Sequence, residues 1–248
     1  MRPAATTAAT ATDPGGPVVR NNRATRWYHA ATFTVTTLLL VTGWWLRTGH
    51  EGRPSVLADI AGRSDADLHR QAGWVSVALA AAGLTLGARA AWTFVRETAR
   101  VDRGDAGWLR RWPTGAVTGR FGTHTGHFDP GQRLANVAFV ATLGTLIVTG
   151  VAMTTLSGGP TFATMVRVHR GATYVLTGLV AGHLLIVSGL LPGYRGVWRA
   201  MVGARGVPAA TARRLWPADA PGGRPDGTRG RGGDRSATDR ARSHRHRG

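Results

Sequence analysis

Apolar residues in this chain gather into four runs, at residues 28–46, 70–94, 134–156 and 168–192. Each reaches or approaches the ~20 residues that an α-helix needs to cross the hydrocarbon core of a bilayer. The pattern predicts an all-α membrane protein, a bundle of four transmembrane helices followed by an amphipathic end. Residues 1–22 and 217–248 offer almost nothing from which a core could be built. They are expected to be a disordered N-terminal tail and a disordered Arg/Gly-rich C-terminal tail around a membrane domain at 23–216. These polar ends also explain a mean hydropathy of only −0.10. No short apolar segment of the signal-peptide kind precedes the first run, so helix one is expected to act as an uncleaved anchor.

Charge orients the bundle. The chain has 31 basic residues against 13 acidic ones, a formal net charge of +18, and every basic residue is arginine. Counted between the runs, the arginines number four in 1–27, three in 47–68, seven in 95–133, one in 157–167 and thirteen from 193 onward. Short loops retain arginine on the cytoplasmic side, so this alternation predicts both termini in the cytoplasm of a bacterial inner-membrane, multi-pass protein. The arginines lie mostly in tails and one loop with no recognition motif among them, which argues against nucleic acid and for anionic lipid as their partner.

Histidines then stand out by depth. His29 opens helix one on the cytoplasmic side, while His69 opens helix two and His169 opens helix four on the outer side. His183 follows His169 by 14 positions. Fourteen helical steps fall about 40° short of four full turns and rise ~21 Å, so both rings leave one face at two depths. Two histidines therefore share each level. His50, His124, His127, His244 and His246 fall in loops or the basic tail and are read as solvated. An internal echo accompanies the pairing: "LLVTGWWL" in helix one resembles "LIVTGVAM" in helix three, and "LHRQAGWV" in helix two resembles "VHRGATYV" in helix four. On that alignment the counterpart of His29 is Asn136 and that of His183 is Gly83, so the duplication is broken and helix four carries both levels.

The chain has no cysteine. That removes thiolate clusters, zinc–cysteine sites and covalently attached haem, leaving histidine to hold any redox cofactor. A haem iron with two axial imidazoles is an electron carrier, and facing side chains of a bundle can supply both ligands. The reading is two haems b: an outer one on His69 and His169, and an inner one on His29 and His183. Gly43 and Gly150 would let a porphyrin approach, although ordinary small-residue packing explains them equally. Arg70 and Arg170 follow the outer ligands and would reach propionates, with snorkelling to the interface as the alternative.

The same residues carry a family resemblance. "RATRWYH", "LH" at helix two, "GHFDPGQRLANVAFVATLGTLIVTGVAM" and the histidines 14 apart resemble the cytochrome b (gamma) subunit of membrane formate dehydrogenases and the related nickel–iron hydrogenase cytochromes b. The likeness covers roughly residues 20–217. It implies an electron-transfer subunit working between an iron–sulfur partner subunit, with its catalytic subunit, and a quinone (menaquinone or ubiquinone). It also implies a quinone pocket at the entry to helix three, here Asp129, Gly131 and Gln132. The family typically has asparagine where this chain has Asp129, and a carboxylate there offers proton delivery as a second role. A stand-alone cytochrome b acting on quinol, and a haem-free membrane anchor, are the competing readings. No broken-helix repeat, phosphate loop or catalytic hydrolase motif supports transport or hydrolysis.

Overall fold

The computed structural model describes residues 16–49, 53–202 and 206–216. Four long helical passages correspond to the four apolar runs: α1 (Arg23–Arg47), α3 (Asp65–Thr85) continued by α4 (Ala88–Thr98), α6 (Pro130–Thr155) and α7 (Gly159–Val187). Short helices α2 (Val56–Ala61), α5 (Asp105–Thr118) and α8 (Ala209–Leu215) complete the order, with 3₁₀ turns at Pro192–Tyr194 and Val197–Ala200. Side-chain caps start several of them: Asn22, Ser55, Ser64 and Asp129 each accept an N–H of the first turn. Such caps satisfy donors that have no partner within the helix.

The second run is not one straight helix. Its axis turns by 89° between α3 and α4. Gly87 occupies the corner, where a β-carbon would lie 2.7 Å from the Gly83 carbonyl oxygen. Backbone cannot yield to such a contact, so this tight turn requires glycine. With 21 residues α3 already extends ~31 Å. α4 therefore leaves the bundle direction, with Trp92 and Val95 exposed. The fourth helix also differs from expectation. It begins at Gly159 rather than near 168, so His169 lies 10 residues inside it.

By length and composition α6 and α7 can each cross a membrane, and α3 with α4 qualify as a bent pair. α1 has the length but falls short in hydropathy, diluted by Thr32, Thr34, Thr36, Thr37 and Thr42. Very little of these helices is buried within the protein. Val137, Val140, Val148 and Val175 are each more than half exposed. A helix pair this apolar on its outside suits lipid as solvent.

α1 packs on α3 and α6 on α7, giving two hairpins that meet each other only sparsely, mainly where α4 and α3 meet α6. The tightest hydrophobic core lies elsewhere. Ala116, Tyr194, Val207, Leu215 and Trp216 are buried together, with Trp112, Phe121 and Leu191 around them. This cap sits where α7 ends and ties in the chain's beginning: Val18 bridges Val207, and the Arg20 guanidinium stacks 3.9 Å over Trp216. Residues 16–22, assigned to a tail by composition, are thus part of the fold; 1–15 and 217–248 lie outside the described residues. Arg133, 4% exposed, fastens the cap to α6 through Asp102, Asp105 and the carbonyls of Arg100, Thr125 and Phe128. The Thr125 hydroxyl, with Arg100 and Arg133, holds the Asp102 carboxyl below its ordinary range.

Candidate functional site

The four histidines meet in the two pairs their spacing predicts. The imidazole centroids of His69 and His169 are 6.3 Å apart, and those of His29 and His183 are 6.2 Å apart. An imidazole nitrogen binds a metal at about 2 Å, which places the ring centroid about 3.2 Å from it. Two rings on opposite sides of one metal would then stand about 6.3 Å apart, against about 5 Å for a tetrahedral pair. Both observed separations leave room for a metal between the two rings. Among the described residues no group of three or more His, Cys, Asp or Glu assembles. A metal held by two opposed imidazoles alone needs its equatorial ligands from a macrocycle. Each pair would suit a haem iron held by two imidazoles.

Space for such a group exists at the His69–His169 level. A cavity of about 660 Å³ lies between the hairpins, lined by Leu39, Gly43, Trp44, Val77, Leu146 and Gly150 among others. It is apolar with a few convergent polar groups, as cofactor pockets are. Arg70 and Arg170 also line it, each next to one of these histidines. Arg70 additionally pairs with Asp67 one turn earlier. Gly43 and Gly150 both face these histidines. A β-carbon on Gly43 would lie 3.2 Å from His69 Cε1, and one on Gly150 would lie 3.6 Å from His169 Cε1. Each glycine makes room for an imidazole from its neighbouring helix.

The residue before each glycine was not singled out by sequence reasoning. Thr42 Oγ1 lies 2.9 Å from His69 Nδ1, and Thr149 Oγ1 lies 2.8 Å from His169 Nδ1. Both threonines are buried. The sequence signal is the repeated Val-Thr-Gly triplet, which aligns the two halves without showing which atoms its threonines meet. At the other level Phe139 stands edge-on to His183, with centroids 5.9 Å apart. Leu176, 3% exposed, separates the levels midway along α7, and the Trp44 indole N–H donates to Thr177 beside it.

The broken internal repeat has a physical explanation. The Tyr28 hydroxyl donates to the Leu79 carbonyl and covers Gly83, where any β-carbon would collide with it. Tyr28 thus occupies the place that a His183 counterpart on α3 would need. Asn136, the counterpart of His29, instead donates to Thr98 Oγ1.

Asp129, Gly131 and Gln132 lie at the start of α6, ten residues before Phe139 and hence ~15 Å beyond it along the helix. Asp129 Oδ1 accepts the Gln132 N–H at 2.8 Å. Burial raises its carboxyl above the ordinary range, outweighing that hydrogen bond and the nearby His124 and Arg20. Gly131 is packed against Trp108, whose ring a β-carbon would press at 3.0 Å. His124 is not the solvated loop residue expected. Its Nε2 is 2.8 Å from the Leu215 carbonyl, and its buried Nδ1 has no hydrogen-bond partner. His127 is also half-buried, its ring tilted against that of Phe128. Tyr194, receiving the Trp112 indole N–H, has its phenol pushed up by burial and by Asp129. His50, His244 and His246 fall outside the described residues.

A family model described as prokaryotic cytochrome b561 matches residues 20–204. No curated protein matches the chain.

Proposed function

The chain belongs to the prokaryotic cytochrome b561 family, a family of membrane b-type cytochromes in electron transfer, and from that premise we propose that it is the dihaem membrane subunit of a respiratory oxidoreductase. The observation that carries the reading is the pair of neighbouring imidazoles at each of two levels, 6.3 and 6.2 Å between centroids. His69 and His169 hold one haem b, with Gly43 and Gly150 giving their rings room. His29 and His183 hold the second, beside Phe139. Held by two imidazoles at each level, haem would supply one-electron relay. The levels are ~21 Å apart along α7, a spacing suited to carrying electrons across a core ~30 Å thick.

The arginine distribution supports the His69–His169 level as the outer one and the cap as cytoplasmic. An iron–sulfur partner of the formate dehydrogenase type donates at the outer end, where Arg70 and Arg170 reach propionates. Quinone is served at the inner end near Asp129 and Gln132. Asp129, held toward its protonated form, and His124, with a free buried Nδ1, supply proton exchange there.

Haem content of the purified protein tests the reading. Two low-spin b haems per chain are expected by pyridine haemochrome assay. A ratio near one, or high-spin iron, would contradict it.

A further inference from the structure

Thr42 and Thr149 occupy equivalent places in the two halves of the bundle. Each is the middle residue of a Val-Thr-Gly triplet, and each meets the Nδ1 of a histidine from the adjacent helix of its own hairpin. What the hydroxyls do with their protons decides the chemistry. Thr42 Oγ1 donates to the Leu38 carbonyl at 2.8 Å, and Thr149 Oγ1 donates to the Thr145 carbonyl at 2.7 Å. Both carbonyls are pure acceptors, so each hydroxyl proton is committed and the oxygen is left to accept. The partner at Nδ1 must therefore be an N–H.

We infer that Thr42 and Thr149 are positioning residues that fix His69 and His169 in the Nδ1–H tautomer, turning each Nε2 lone pair toward the shared metal. A ligand that donates its second N–H is held in orientation and made a stronger base. Greater basicity favours the oxidised iron, so the two threonines lower the potential of that centre. Among the described residues no corresponding side-chain hydrogen bond is made to the rings of His29 or His183. One haem is thus tuned by paired hydroxyls and the other is not, which creates a difference in potential between neighbouring relays. This inference rests on the dihaem reading.

The test uses the full-length solubilised protein, with haem content measured first and then Thr42→Val, Thr149→Val and the corresponding Ser variants compared. Valine keeps the shape and removes the acceptor; serine keeps the hydroxyl and removes the methyl. The valine variants are expected to move one of two midpoint potentials to a more positive value. They should also shift the low-spin EPR g-values of that component alone, and serine should restore both. If valine removes the haem outright, retention with parental potential in the serine variant gives the same support. Unmoved potentials in the valine variants, equal shifts of both components, or serine failing wherever valine fails would overturn the inference. A parent protein with fewer than two haems would instead overturn the dihaem reading beneath it.

Discussion

Asp129 accepts the Gln132 N–H as the cap of α6 while only 7% exposed, and these two circumstances act on stability in opposite directions. Losing a side-chain cap costs about 1 kcal/mol, so Asp129→Ala should lower unfolding stability by roughly that amount. Asp129→Asn keeps an acceptor for the cap and removes the buried charge. Because burial raises the folded-state pKa, the native protein binds this proton more tightly than the unfolded chain does. Stability from that proton is complete below the unfolded carboxyl pKa and is lost as pH rises through the folded one. The parent should therefore lose stability with rising pH across that window relative to Asp129→Asn, as measured by thermal unfolding at a series of pH values. A parallel pair of curves would contradict the shift. The alanine variant should also slow quinone turnover while leaving the haem spectrum intact. The glycines beside the ligands make a second residue-level contrast. At 3.2 Å from His69 Cε1 a Gly43 β-carbon is tighter than ordinary contact, whereas at 3.6 Å the Gly150 position has room. Gly43→Ala should perturb the spectrum of the His69–His169 component, and Gly150→Ala should leave it near the parent's.

The bend between α3 and α4 is decided by two glycines four residues apart. Gly87→Ala would drive a β-carbon against the Gly83 carbonyl oxygen at 2.7 Å. Overpacking of this kind costs about 1–3 kcal/mol, a lowered melting temperature being the expected readout. Periodicity could not show this break, because the apolar run continues unbroken from α3 into α4 and only the backbone contact distinguishes a corner from a straight span. The start of α7 was hidden for the opposite reason: Arg167 and several threonines dilute a stretch that Pro160 nonetheless initiates as helix. By contrast, the histidine levels were legible, since helical rise and angle alone bring positions 14 apart onto one face. The threonines were half legible, as a repeated triplet whose partner atoms lie on another helix. The cap was not legible at all. Its bridge joins Val18 to Val207, and no local pattern announces a contact across nearly the whole chain.

At the scale of the molecule two kinds of solvent shape one chain. The bundle leaves its valines and leucines facing outward for lipid, while the cap gathers Tyr194, Val207, Leu215 and Trp216 into a water-excluding core. Orientation can be read cleanly because the chain has no cysteine. Arg63→Cys, at the α2–α3 turn, should react with a membrane-impermeant maleimide from outside intact cells. Val101→Cys, 87% exposed beside the cap, should react only after permeabilisation. The reverse result would invert the topology and exchange the roles of the two levels. A redox titration of four single variants reads the histidine pairing itself. His69→Ala and His169→Ala should abolish the same spectral component, and His29→Ala and His183→Ala should abolish the other, because one rigid helix holds His169 and His183 ~21 Å apart and no single porphyrin can join them. If His169→Ala and His183→Ala removed one common component, or His29→Ala and His69→Ala did, the paired arrangement would be wrong.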